Sequence, residues 1–393
     1  MHLKNLSILY GKDLKYIHST NLQIKDQFFG RINDRPQNRK SVDCEGLLLI
    51  PGFVNSHTHI GDSIAKDVAA SGTVDDKIHP ILGIKPRILR KSEPEHLVSF
   101  MRNSCLSMLR KGITTFVDFR ESELAGILLL KKAISQVPIR AVILGRTEYY
   151  QDKNQIQKNT SLPTLQRKKL LAILRSCDGL GISGPNENSN SVLQYLSKTK
   201  KIRAIHSAET IESSKKSKKI TGNSETSRAL LLKPHFLIHM TYANQNDLRN
   251  AAKKTKGIVI CPRANASLAE GIPDFPLMEK NGCRVAIGTD NVMINSPDMF
   301  REMDYLWKVT MGIYKKRIDP KEILKMATVN GGILLGRKIG SIEPKFLADG
   351  IFIDKHALDL EPMHNPYASI VHRASESTIR AVMIGGRIIH GKL

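Results

Sequence analysis

Residues 51–63 read PGFVNSHTHIGDS. His57 and His59 lie two apart at the end of the apolar run LLLIPGFV. In a strand, alternate side chains share a face, so both imidazoles can point into one cavity and bind one metal ion. An apolar strand that ends in two same-side imidazoles reads as a site rather than as core.

Outward from this stretch, apolar strands alternate with helical patterns. Candidate strands cover residues 47–54, 113–119, 139–146, 179–183, 202–207, 236–241, 257–261 and 284–289. The segments between them carry helix signals. Ser92 with Glu95 has the spacing of a capping box, and Gly112 stands where that helix should close. Asp319-Pro320 is an N-cap followed by an N1 proline. About eight strand–helix units suit a closed parallel (β/α)8 TIM barrel. An open doubly wound sheet is disfavoured, because no G-x-G-x-x-G follows the first strand.

The chain ends have a different texture. NLSILYG and YIHSTNLQIKDQFFGRI read as short strands, and INDRPQN as a turn. ADGIFID, SIVHRAS and TIRAVMIGGRIIHGKL read as β runs, with a hairpin signal at Gly385-Gly386. Both termini are therefore expected to build one small β-sandwich domain. The expected division is 1–50 for its first part, 51–340 for the barrel and 341–393 for its second part.

Further ligand-type residues fall at strand C-terminal ends, where parallel barrels place their chemistry. His206 ends one strand in IRAIHSAET, with Glu209 three residues on. His239 ends the next in HFLIHMTYAN, and Asp290 follows the last in VAIGTDN. A lone buried histidine is usually structural, but five such residues at the correct ends of their strands reverse that reading. Three neutral imidazoles and a carboxylate suit a zinc or ferrous ion with a position open for water, which such an ion acidifies. Glu209 can then shuttle protons, and His239 can orient the attacking hydroxide. The reaction class is metal-assisted hydrolysis.

Taken in order, PGFVNSHTHIGDS, IHSAET, IHMTYA and CPRANASLAEGIPDFPLMEKNGCRVAIGTDN resemble the amidohydrolase superfamily, in its cytosine-deaminase/chlorohydrolase-like branch. The resemblance spans nearly the whole chain. It implies that His57, His59, His206 and Asp290 ligate one divalent metal, zinc before iron. It also implies that Glu209 protonates a ring nitrogen and then the leaving group, that His239 positions the hydroxide, and that Asp290 accepts a proton. No lysine has the context of the carboxylated bridging ligand of two-metal relatives, so one ion is expected. Relatives acting on adenosine-like substrates often carry a Pro-His-Ser-Pro-type segment after the fourth strand. Here it reads SGPNENSN, with Pro185 but no histidine, which argues against a standard S-adenosylhomocysteine or methylthioadenosine deaminase. Asn265 is retained in an altered RANASL stretch.

Arg120, Glu121, Arg146 and Asn186 are the candidate substrate-binding residues at the mouth. An arginine there could clamp a carboxylate, phosphate or carbonyl oxygen, or equally form an ion pair between neighbouring loops. Lys66 and Lys85 lie in the long segment 61–91, an expected lid, and are read as solvated lysines.

Composition narrows the partners. The chain has 393 residues with 60 Lys+Arg against 37 Asp+Glu, a formal net charge of +23. The basic residues are spread along the chain, and no aromatics interleave with KKSKK or KKTK as a single-strand platform would require. Nucleic acid is therefore not the expected partner; the charge could instead favour anionic small molecules. Five cysteines without C-x-x-C spacing read as reduced buried thiols. No apolar run approaches a membrane span, and the start lacks a secretory h-region, so a cytoplasmic protein is expected. The family resemblance implies a homo-oligomer.

The leading function is deamination of an amino-substituted N-heterocycle (EC 3.5.4-type), a small molecule such as a nucleobase or nucleoside. Cyclic amide opening of the imidazolonepropionase kind is the alternative, with the same ligands. A third reading is a non-enzymatic barrel whose basic surface binds nucleic acid.

Overall fold

The computed structural model describes residues 1–33, 41–71 and 73–393. Most of the turn expected in INDRPQN lies outside the described residues. The N-terminal strands are β1 (His2–Tyr10), β2 (Lys15–Lys25), β3 (Phe28–Ile32), β4 (Ser41–Asp43) and β5 (Leu47–Pro51). The middle of the chain supplies β6 (Phe53–His59), β7 (Ile113–Arg120), β8 (Arg140–Gly145), β9 (Gly179–Ile182) and β10 (Ile202–Ser207). It continues with β11 (Phe236–His239), β12 (Gly257–Ile260), β13 (Val285–Ile287) and β14 (Asp290–Asn291). The last strands are β15 (Gly350–Asp354), β16 (Ile379–Ile384) and β17 (Arg387–Gly391).

Both chain ends share one eight-stranded sheet, in the order β17-β16-β15-β5-β1-β2-β3 with β4 beside β1. β5 runs parallel to β1 and antiparallel to β15, which sets Leu49 against both Ile8 and Phe352. Leu3, Leu6, Ile8, Leu22, Phe29, Leu49, Phe352 and Met383 form the core on this sheet. Gly385 and Gly386 turn the last hairpin with φ of +56° and +75°, the left-handed values a two-residue hairpin loop demands.

The second sheet has nine strands, all paired in parallel, in the order β13-β12-β11-β10-β9-β8-β7-β6-β14. Along its strands the side chains alternate. Val117, Phe119, Val142, Leu144, Ile238 and Val259 pack together on one face. The intervening Phe116, Ile143, Leu237 and Ile258 join the core shared with the helices. Both faces are apolar, as a helix-covered parallel sheet requires.

The sheet curls. β13 ends at Ile287 and β14 starts at Asp290, yet the two stand at opposite ends of the strand order. Asp290 pairs with Thr58 of β6, and the Thr289 amide donates to the His57 carbonyl at 3.1 Å. The chain therefore carries Asp290 straight onto the strand that holds the histidine pair.

Three local expectations are corrected. The apolar run 47–54 is two strands: it breaks at Gly52, and β5 serves one sheet while β6 serves the other. Residues 369–375 do not form a strand. Asn365 caps, and Pro366 opens, the helix Pro366–His372, which buries Ile370 and Val371. The capping box at Ser92 does not form, because its hydroxyl donates to the Ile88 carbonyl of the preceding helix at 2.8 Å. The helix Pro94–Arg110 instead starts at its proline, and Gly112 follows it with a φ of +78°.

Gly288 lies between β13 and β14, where the chain crosses onto β6. A Cβ there would lie 2.6 Å from the His57 Cβ. We expect Gly288→Ala to destabilise the metal-free protein by about 1–3 kcal/mol, the usual range for forcing an atom into a packed core. Chemical denaturation measures this, and an unchanged midpoint would show that His57 has room to shift.

Candidate metal centre and cavity

Every ligand-type residue marked in the sequence sits at the end of a parallel strand or in the turn after it. His57 and His59 end β6, His206 lies near the end of β10, His239 ends β11 and Asp290 opens β14. His239 and Asp290 hold φ values of +70° and +60°. Such left-handed non-glycine backbone costs energy and clusters at functional sites.

The donor atoms converge. The Nε2 of His206 is 3.2 Å from that of His57 and 3.4 Å from that of His59. Asp290 Oδ1 lies 3.4 Å from His57 Nε2 and 3.7 Å from His59 Nε2. A tetrahedral zinc ion with Zn–N bonds of about 2.0–2.1 Å separates its ligand atoms by about 3.3–3.4 Å. The spacing therefore fits one ion held by His57, His59, His206 and Asp290. His239 Nε2 stands outside this set, 3.5 Å from Glu209 Oε1 and 3.8 Å from Asp290 Oδ2.

The outer ring nitrogens explain the inward lone pairs. His59 Nδ1 is 2.7 Å from Glu121 Oε1, and His206 Nδ1 is 2.9 Å from the Ile182 carbonyl. Both partners are acceptors, so each Nδ1 carries the hydrogen and each Nε2 is left to bind. His239 Nδ1 faces Asn265 Oδ1 at 3.1 Å, and Asn265 donates its amide to Thr241. Phe119 lies beneath the cluster, its ring 4.5 Å edge-on from that of His57 and 5.0 Å from that of His206. Burial, first of all, holds His57 and His206 below the ordinary imidazole range. Burial and then the Lys85 charge bring His59 down to about 3. Burial opposes ionisation of Asp290, but its hydrogen bond and charge contact with His57 prevail and keep the carboxyl low. Neutral imidazoles and a carboxylate are the protonation states that metal binding requires.

A cavity of about 180 Å³ opens beside this centre, lined by His59, His206 and Glu209 among others. Glu121, Arg146 and Asn186 line it; Arg120 does not. The Arg120 guanidinium is buried, committed to Glu121 and, at 3.5 Å, to Asp118. Glu121 is likewise occupied, by His59, by Arg120 and by Lys85 Nζ at 2.7 Å. Lys85 is thus corrected: it is buried, not a solvated loop lysine, whereas Lys66 is exposed. Asn186 donates to the Ser213 carbonyl at 2.9 Å.

The lining also revises the charge argument. Glu121, Glu148, Glu187, Glu209, Glu212 and Glu225 face four cations: Lys85, Arg90, Arg146 and Lys216. The positive charge of the chain is therefore not concentrated in this cavity. Phe119, Glu187 and Glu225 escaped the sequence reading. Phe119 reads as core; Glu187 lies within SGPNENSN, which is read for its proline and missing histidine, and Glu225 opens the short helix Glu225–Ala229 without a motif around it. All five cysteines are buried and unpaired. Among the described residues, no helix is long and apolar enough to cross a membrane.

With this geometry in place, comparison with known proteins defines the class. The model of the amidohydrolase family matches residues 48–389, and the chain belongs to that family. It is 36% identical over 392 residues to a putative aminohydrolase of Methanothermobacter thermautotrophicus, covering 98% of each chain. It is 27% identical to a 5-methylthioadenosine/S-adenosylhomocysteine deaminase of Thermococcus sibiricus, covering 98% of this chain and 93% of the relative. Among solved structures, zinc-complexed atrazine chlorohydrolase TrzN of Arthrobacter aurescens TC1 shares the fold with a TM-score of 0.85. Its identity is 15%, covering 99% of this chain and 95% of that one.

Two measurements check the site. Elemental analysis of the purified protein should find one divalent ion per chain, and His206→Ala or Asp290→Ala should lower its affinity at least about 100-fold, since each removes a direct ligand. Retention of the ion by both variants would exclude this cluster as its seat. Burial, with Glu187 adding to it, raises the Glu225 carboxyl to about 7 from its ordinary 4.5. A raised carboxyl keeps its proton better in the folded state. Its contribution to stability is therefore whole below pH 4.5 and is lost as pH rises through about 7, by up to about 3 kcal/mol. In denaturant titrations of the metal-free protein between pH 5 and 8, Glu225→Gln should flatten this decline; an unchanged slope would refute the shift.

Proposed function

We propose that the protein is a mononuclear metal-dependent deaminase of an amino-substituted N-heterocycle. The chain is a hydrolase of the amidohydrolase family, and the curved parallel sheet is read as its eight-unit barrel. The strands of the chain ends (1–50 and 341–393) are read as its companion β domain around the barrel of 51–340. The observation that carries the reading is the convergence of three Nε2 atoms and a carboxylate beside a cavity lined by Glu209.

In this reading His57, His59, His206 and Asp290 hold one divalent ion, zinc first and ferrous iron second. The bound ion lowers the pKa of water toward neutrality. Asp290, whose Oδ2 points at His239, takes the proton as water adds to the amino-bearing carbon. His239, oriented by Asn265, steadies the oxygen during that addition. Glu209, between His239 and the cavity, delivers the water's other proton to the ring nitrogen, and the proton held by Asp290 then passes through Glu209 to the departing amine, which leaves as ammonia. Arg146 and Asn186 contact the substrate from the cavity wall. The deaminase names among the sequence relatives favour this reaction over cyclic amide opening. The absence of a histidine in 183–190 sets the substrate pocket apart from the adenosine-type pattern.

Ammonia release from purines, pyrimidines and pterins by the metal-loaded protein tests this directly. Glu209→Gln should keep the ion and lose about 10²–10⁴-fold in kcat/KM, the usual worth of a general acid–base group. Silence over the panel with ring opening of a cyclic amide would overturn it.

A further inference from the structure

Glu121 occupies an unusual position for a residue beside a metal centre. Its Oε1 is shared between His59 Nδ1 at 2.7 Å and Lys85 Nζ at 2.7 Å. Lys85 also faces Asp62 Oδ2 at 3.5 Å. Asp62 in turn accepts from the Asn291 side chain at 2.7 Å and from the Met293 amide at 3.1 Å. Asn291 is the residue after Asp290. One buried ionic chain therefore starts behind the metal-facing His59, passes through Glu121, Lys85 and Asp62, and ends in the loop that carries Asp290. All three charged members are at most 6% exposed.

The middle link comes from a different part of the molecule. Lys85 belongs to the helix Ile84–Lys91. That helix lends Pro86, Leu89 and Arg90 to the cavity wall. Its buried residues are Lys85 and Leu89, and half-buried Ile88 packs against Ala65, Ala69 and Met293. The Lys85 ammonium thus adds a buried ionic anchor to this apolar attachment. Removing one member of a buried ion pair leaves an uncompensated charge, so the link is costly to break.

We infer that Lys85 is a positioning residue that couples this wall of the cavity to the metal centre: the ion and the docked helix Ile84–Lys91 stabilise one another. The physical route is the Glu121 carboxylate. When His59 is fixed by an ion, Glu121 is fixed behind it and offers Lys85 a rigid anionic partner. When the helix is docked, Lys85 orients Glu121, which holds the His59 ring in its ligating position. Coupling of this kind is reciprocal by thermodynamic necessity. The inference rests on the metal-centre reading above and requires nothing of the substrate.

The test is hydrogen exchange of the wild-type chain, Lys85→Met and Lys85→Arg, each with and without saturating Zn²⁺, with zinc affinity measured by chelator competition. In the wild type, zinc should slow exchange in Ile84–Lys91 about tenfold or more. In Lys85→Met that slowing should vanish and zinc affinity should fall by the same factor, while exchange in β7 and β10 stays as in the wild type. Lys85→Arg, which keeps the charge, should recover part of both. Glu121→Gln, which keeps an acceptor for His59 but not the charge for Lys85, should reproduce the Met variant and serves if that one does not fold. Zinc-dependent slowing that persists in Lys85→Met, or is missing from the wild type although zinc binds, overturns the coupling alone. Failure of the wild type to bind zinc overturns it together with the metal-centre reading.

Discussion

His206 Nε2 stands 3.2 Å from His57 Nε2 and 3.4 Å from His59 Nε2 in buried surroundings, and outward acceptors hold the ring hydrogens of His59 and His206 on Nδ1. The lone pairs of His59 and His206 Nε2, 3.4 Å apart, repel, and burial disfavours the imidazolium charge that would relieve them. A cation is the simple resolution, and much of the architecture serves this geometry. The parallel strands put their C-terminal ends on one rim, the curl returns Asp290 to the strand of His57 and His59, and Gly288 lets that return pass without a clash. The positive φ of His239 and of Asp290 is the backbone strain accepted in exchange for aim.

Around this centre lies a second layer of buried charge. Asp62, Lys85, Asp118, Arg120, Glu121 and Arg146 are all nearly inaccessible and mutually paired. Their carboxylates and cations balance in number, which is how so many ionised groups tolerate burial. Glu121 is the hinge of the set. Burial alone would raise its carboxyl, but Lys85, Arg120 and His59 outweigh that and hold it well below the ordinary range. The anion that results is the partner that keeps the His59 ring in place.

The sequence showed the centre better than its surroundings, for a physical reason. His57, His59, His206, His239 and Asp290 stand at strand ends, and strands announce themselves through apolar runs, so position and chemistry could be read together. Lys85 could not be read that way. It sits in a long segment without strong apolar periodicity, and only tertiary structure brings it under Glu121. Arg120 misled because its place at the end of β7 suggested the cavity, whereas its side chain turns back toward Asp118. Glu187 stood in SGPNENSN, a segment marked for its missing histidine and not for its glutamate, and Glu225 had no local signal. The chain ends behaved similarly. The strands around Gly385-Gly386 were legible from turn chemistry, but 369–375 hid a helix whose Asn365-Pro366 start was overlooked.

The account stands or falls on the ion. Crystals of the protein grown with zinc, measured on both sides of the zinc absorption edge, should show a single strong anomalous peak about 2.0–2.1 Å from the Nε2 atoms of His57, His59 and His206, with Asp290 completing the shell. An empty centre under these conditions, or zinc bound elsewhere while the three imidazoles hold their places, would contradict it.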